Sequence, residues 1–329
     1  MARTLRLLCY LLPALALAVI VLGAYVRLSN AGLGCPDWPG CYGRLAVPNG
    51  VANVHLEHPD WHHRPLESGK AWLEMLHRYL ASTLGLGIVI LAVAFTRANL
   101  RRAVGGSAVV FWLVPLVMFQ GLLGMWTVTL LLKPLVVSAH LLGGLATLSL
   151  LWWHLLAVRA QPVFAVPAGG LYLWARIAVL VLVLQIFLGG WTSANYAALA
   201  CTDFPTCQGR WWPHANFREA YVLWRGLGIN YEFGVLDTPA RTAIHLGHRL
   251  GALVATLTVA FTAMLAWHTG KPRLRRLASC ILAALALQVC LGITNVLGGL
   301  PLPVAVAHNG VAAVLLLTLI TLVHSTRRL

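Results

Sequence analysis

The chain is 329 residues long, 59% hydrophobic and only 10% charged, and carries a net charge of +15. So little charge excludes a soluble globular domain of this size and makes the chain an integral membrane protein. The basic residues fall in short turns between apolar runs, which excludes a nucleic-acid surface and points to topology and anionic-lipid contact.

Eight apolar stretches are long enough to cross a bilayer, at roughly 20 residues each. The first, near 7–26, follows Arg3 and Arg6 and so has the outline of a signal peptide. An internal stretch near 170–192 matches it through Gly23 and Gly189, so it is read as a membrane helix. A long connection follows the first stretch, holding Cys35, Cys41 and then His55, His58, His62 and His63 among Glu57, Asp60 and Glu67. That histidine run matches no firm metal-site spacing and reads either as a metal site or as a solvated loop.

Spans near 71–95, 107–128 and 134–158 complete the first half. The first of these carries Glu74, His77 and Arg78, and the last carries His140. After 170–192 a second long connection holds Cys201 and Cys207, and its segment 217–233 suits an amphipathic helix resting on the membrane surface. The last spans lie near 241–267, 277–298 and 302–323, with His245, His248 and Arg249 on the first and His308 on the third. Trp38, Trp61, Trp72, Trp211, Trp212 and Trp224 lie in or beside the two long connections, as an interfacial aromatic belt would.

Charge orients these spans. Arg3 and Arg6, Arg97, Arg101 and Arg102, Arg159 and Arg176, Lys271, Arg273, Arg275 and Arg276, and Arg327 and Arg328 occupy one set of connections. The acids Asp37, Glu57, Asp60, Glu67, Glu74, Asp203, Glu219, Glu232 and Asp237 all fall on the other side. By the positive-inside rule both termini are cytoplasmic and the long loops face outward, as expected of a multi-pass membrane protein. The four loop cysteines then lie where disulfides persist. A proline within each pair favours a bend that brings Cys35 to Cys41 and Cys201 to Cys207. Cys9, Cys280 and Cys290 lie within helices and read as small packing residues.

The two halves are copies. Cys-Pro-Asp-Trp-Pro-Gly-Cys-Tyr-Gly-Arg at 35–44 and Cys-Thr-Asp-Phe-Pro-Thr-Cys-Gln-Gly-Arg at 201–210 share six of ten residues. Gln120, Gly124 and His140 align with Gln288, Gly292 and His308 at one offset, and Leu-His-Arg at 76–78 resembles Gly-His-Arg at 247–249. The expected fold is all-α: eight transmembrane helices as two four-helix bundles, residues 1–160 and 161–329, related by a pseudo-twofold axis along the membrane normal.

His77, His140, His248 and His308 each sit one and a half to two turns into a helix that begins at the outer surface, two per half. Ionisable residues inside a bilayer are costly and usually have a partner or a function. Opposed imidazoles on facing helices suit axial ligation of haem iron, whereas two ligands per half fall short of a zinc site. Arg78 and Arg249 follow two of these histidines and either pair with haem propionates or snorkel to headgroups. Three residues before His77 stands Glu74, where the second half has His245. A carboxyl beside a ligand is a candidate proton donor or acceptor, or a group that orients the ligand, so the half with Glu74 is the better candidate for chemistry.

These features together resemble the haem A synthase family across nearly the whole chain: two four-helix repeats, Glu-x-x-His-Arg from Glu74 to Arg78, His140, His248 with Arg249, His308 and both cysteine pairs. Two cysteine pairs match the bacterial subgroup that carries one in each outer loop, while the long histidine-bearing first loop departs from the shortest members. The resemblance implies an oxidoreductase that converts the C8 methyl of haem O to a formyl group by successive hydroxylations. It implies haem b held by His248 and His308 in the second half, and substrate haem held by His77 and His140 in the first, with Glu74 as the catalytic residue. For Cys35–Cys41 it implies a redox role, beside the structural reading of a stapled loop; for Cys201–Cys207 stapling is favoured. Expected partners are haem O delivered by haem O synthase, terminal oxidase assembly factors, membrane lipids and a second copy of the chain. A two-haem electron-transfer cytochrome b and a non-catalytic haem carrier are the alternatives.

Overall fold

The computed structural model describes residues 2–50, 65–97, 102, 104, 106–159 and 170–327. His55, His58, His62, His63 and Trp61 lie outside the described residues. Eight long helices follow the apolar stretches: α1 (Ala2–Leu28), α2 (Ser68–Thr96), α3 (Val110–Thr129), α4 (Pro134–Val158), α5 (Gly170–Ala194), α6 (Thr238–His268), α7 (Pro272–Leu297) and α8 (Leu302–Thr326). Each is apolar and long enough to cross a membrane. A proline stands in the first turn of α4, α6, α7 and α8, where its missing N–H falls among donors that have no helical partner anyway. Asp237 also caps α6, its side chain accepting from the Ala240 N–H at 2.9 Å.

The repeat extends to the helix ends. Asn30 and Tyr196 take the left-handed conformation after α1 and α5, at φ 53° and 52°. Each lets the next N–H reach back to the helix: Ala31 to Val26 O and Ala197 to Thr192 O, both at 2.9 Å. The short turns after α3 and α7 match in the same way, with Leu132 N–H to Thr127 O and Leu300 N–H to Asn295 O, both at 2.8 Å.

Within the first half, α1 packs on α2, α2 on α3, α3 on α4 and α4 on α1; α5 to α8 repeat that ring. The halves meet through α1 with α8, α4 with α5, and α4 with α8. This pattern is compatible with two four-helix bundles. Buried residues from all eight helices form one apolar cluster, from Leu5 to Val19 of α1, Leu84 to Phe95 of α2 and Leu315 to Leu322 of α8. Those segments are the ends remote from the long loops. The end of the bundle nearer the loops holds smaller apolar clusters together with buried polar side chains such as Glu74, Gln120 and His245.

One expectation fails. Segment 217–233 is not an amphipathic helix: only Phe217–Ala220 makes a helical turn. Gly226 and Gly228, with φ 83° and 78°, turn the chain where a helix would have continued.

Candidate functional site

Both long loops open with a disulfide, Cys35–Cys41 and Cys201–Cys207. Inside the first, the Asp37 carboxylate accepts from the N–H groups of Tyr42 at 2.6 Å and Gly43 at 2.9 Å. Inside the second, Asp203 accepts from Gln208 at 2.6 Å and Gly209 at 3.0 Å. Hydrogen bonds from the Thr206 hydroxyl, then from the Gly209 and Gln208 N–H groups, hold the Asp203 carboxyl down at about 2. The repeated Asp is therefore the internal brace of each loop.

Arg78 and Arg249 clamp these loops to the helices that carry His77 and His248. Arg78 Nη1 donates to the carbonyls of Asp37 at 3.0 Å, Pro39 at 3.3 Å and Gly40. Arg249 donates to the carbonyls of Thr206 at 2.7 Å, Asp203 at 2.8 Å and Cys201 at 3.2 Å. Glu74 and His245 do matching work one turn earlier on α2 and α6. The Cys35 N–H donates to Glu74 Oε2 at 2.9 Å, and the Cys201 N–H to His245 Nδ1 at 3.3 Å. Only Glu74 adds an ion pair, from its Oε1 to Arg78 Nη2 at 2.6 Å. The carboxylate thus joins one disulfide loop to the helix that carries His77.

His77, His140, His248 and His308 are half-buried and share one architecture. Each ring lies against a glycine of a neighbouring helix: a β-carbon at Gly23 would stand 2.9 Å from His77 Cε1, and one at Gly189 3.2 Å from His248 Cε1. At Gly124 it would stand 3.5 Å from His140 Cε1, and at Gly292 3.2 Å from His308 Cε1. The His77 and His140 rings have centroids 6.5 Å apart, edge to face. Nδ1 of His77, His140 and His308 is buried without a hydrogen-bond partner.

Glutamines hold the histidine segments. Gln120 Nε2 donates to the His140 carbonyl at 3.1 Å, and Gln288 Nε2 lies 3.2 Å from His308 Nε2. Gln185 Nε2 lies 3.0 Å from His248 Nδ1 and donates to the His248 carbonyl at 3.0 Å. Its place in the first half, four residues before Gly23, belongs to Val19.

Sequence reasoning missed two contacts between the halves. The second long loop crosses onto the short turn before α4: Tyr231 N–H donates to Leu131 O at 3.0 Å, and Lys133 Nζ bonds to Gly226 O under the Trp224 ring. Arg27 of α1 reaches Ser193 of α5, with Nη2 donating to its carbonyl at 2.5 Å. The lone lysine of that short turn, and an arginine at the long-loop end of an apolar helix, were the available signals.

Among the described residues no group of three or more His, Cys, Asp or Glu side chains could hold a metal ion. A pair of imidazoles therefore suits an ion that brings its other ligands with it, as porphyrin iron does. The donor set, its unpartnered nitrogens and the glycines that make room for the rings fit a haem in each half.

Comparison with known proteins agrees with this chemistry. The family model described as cytochrome oxidase assembly protein, COX15-CtaA, matches residues 6–320. The chain is similar to the haem A synthase of Shewanella oneidensis, 45% identical over 93% of this chain and 92% of that protein. It is also similar to the haem A synthases of Paracoccus denitrificans, 30% identical over 96% of this chain and 85% of that protein, and Granulibacter bethesdensis, 27% identical over 97% and 85%.

Proposed function

The chain belongs to the cytochrome oxidase assembly protein family, and from that membership we propose that it is a haem A synthase, a multi-pass membrane oxidoreductase converting haem O to haem A. The observation that carries the reading is the pair of histidine–glycine cradles combined with a carboxylate, Glu74, in one half only.

His248 and His308 would hold a haem b cofactor in the second half, residues 161–329. His77 and His140 would hold the substrate in the first half, residues 1–160. Bound there, haem b would supply the redox chemistry that oxidising a methyl carbon requires. Gln120, Gln185 and Gln288 fix the histidine segments before any ligand arrives, which lowers the ordering cost of binding. Arg78 and Arg249, expected to meet propionates, give most of their hydrogen bonds to loop carbonyls; their support of a bound haem is largely through the loops they hold.

Glu74 is the candidate catalytic residue. Its carboxylate, bonded to Arg78 and to the N–H of Cys35, would take a proton from the substrate edge and return it. The disulfide Cys35–Cys41 staples the loop that donates to it. The basic residues of the short turns support cytoplasmic termini and long loops on the outer side. Haem O arriving from its synthase and haem A leaving to oxidase assembly factors fit a substrate and product confined to the membrane. Oligomerisation with a second copy is compatible with the exposed apolar helix faces.

The likeness of the two cradles favours, as a second reading, a symmetric two-haem electron carrier. Expression with a haem O source and mass analysis of the extracted haems separates them. Haem A supports the synthase, and unchanged haem O in a protein carrying two haems supports the carrier.

A further inference from the structure

Arg27 stands four residues beyond Gly23 on α1, and Ser193 stands four beyond Gly189 on α5. Four residues are about one turn and about 6 Å along a helix, so each lies over its glycine toward the long-loop end. Those glycines are where His77 and His248 pack. Arg27 Nη2 donates to Ser193 O at 2.5 Å, its guanidinium lies 4.3 Å from the Tyr196 ring centroid, and Tyr196 Oη reaches Asn30 Oδ1 at 3.1 Å. The cation is therefore held between the two histidine sites. Its position in the second half is occupied by an uncharged serine.

Among the described residues no carboxylate pairs with it. Ion pairs among the described residues join Lys70 to Glu67, Arg78 to Glu74 and Arg225 to Glu219. Arg27 Nε is buried without a partner, and one edge of the fork is thereby left without an acceptor. A guanidinium fixed in orientation, with an unused edge, suits bidentate capture of a carboxylate. Arg249 Nε is likewise without a partner, but the terminal nitrogens of Arg249, like Nη1 of Arg78, are engaged with loop carbonyls.

We propose that Arg27 binds a propionate carboxylate of the haem held by His77 and His140, and so makes the first half selective for a tetrapyrrole with free acid groups. This rests on the reading that these histidines bind haem. The contact also joins the halves, because the residue that holds the carboxylate is anchored on Ser193 and Tyr196 of the second.

Full-length protein in detergent, titrated with iron protoporphyrin IX and with its dimethyl ester, tests the proposal. The His77-dependent part of binding is identified with His77→Ala. Esterification should weaken that part in the unaltered protein by roughly 10- to 100-fold, the range of a hydrogen bond to a charged group. Arg27→Gln should bind the free acid about as weakly as the unaltered protein binds the ester, and should no longer distinguish the two. Arg27→Lys, which keeps the charge without the fork, should fall between and serves if Arg27→Gln does not fold. Equal discrimination by Arg27→Gln and the unaltered protein overturns the proposal, as does an unaltered protein indifferent to esterification. Absence of any His77-dependent binding instead overturns the haem-site reading, and the proposal with it.

Discussion

Gly23 of α1 faces the His77 ring so closely that a β-carbon there would stand 2.9 Å from Cε1, and Gly189 of α5 faces His248 at 3.2 Å in the other half. Glycine is required here for space and not for backbone freedom. Gly23→Ala should push the His77 ring aside at a cost of about 1–3 kcal/mol, the usual range for overpacking. Haem A formation should then fall while the haem spectrum of the second half persists. Gly189→Ala should instead lower the haem content of purified protein, and haem A formation with it. Haem-to-protein ratios and product mass check both.

The ligand sets predict a second asymmetry. His248→Ala or His308→Ala should remove most of the haem spectrum from purified protein. His77→Ala should leave most of it and abolish product. Equal loss of haem from all these variants, measured by pyridine haemochrome, would favour the symmetric electron carrier.

For Glu74 the matching His245 supplies a sharper test than removal alone. Glu74→Gln should retain haem and lower conversion by about 10²–10⁴, the range a positioned acid or base contributes. Glu74→His should keep an acceptor for the Cys35 N–H, as His245 does for Cys201, and still fail to convert haem O. Near-normal product from Glu74→His would reduce Glu74 to an anchor for the disulfide loop.

The brace in the second long loop has a defined pH response. Asp203 is depressed from an ordinary value of 3.8 to about 2 by bonds that exist only in the folded loop. A depressed carboxyl adds stability above its unfolded pKa and loses it as pH falls through the folded value. Loop 201–210 should therefore be fully braced above about pH 4 and lose that support progressively as the pH falls from about 4 to about 2, read as faster phosphine reduction of Cys201–Cys207. Asp203→Asn should show no such step.

Topology is tested by fusions. Reporters at Arg101 and Lys271 should give cytoplasmic signals, and those near Asp60 and Asn216 periplasmic ones. A periplasmic signal at Lys271 would reverse the charge-based orientation.

Much of the site was legible because its signals are local or repeated. Hydropathy gave the eight helices, since a membrane helix must satisfy its own backbone within one continuous segment. Duplication singled out the cysteine blocks and the four histidines, and the Glu74–His245 difference became visible only against that duplication. The second long loop misled because its mixture of aromatic and charged residues resembled an amphipathic face, while Gly226 and Gly228 carried the turn that breaks it.

Sequence alone thus determined the membrane class, the repeat, the cysteine blocks and the ligand candidates, all of which are written in short segments or in segments that recur. Tertiary structure alone decided which glycine makes room for which histidine, that Arg78 and Arg249 grip loop carbonyls, and that Arg27 reaches Ser193, 166 positions away. These relationships join separate helices and loops. Their distances depend on how the helices pack, and no single segment encodes that packing.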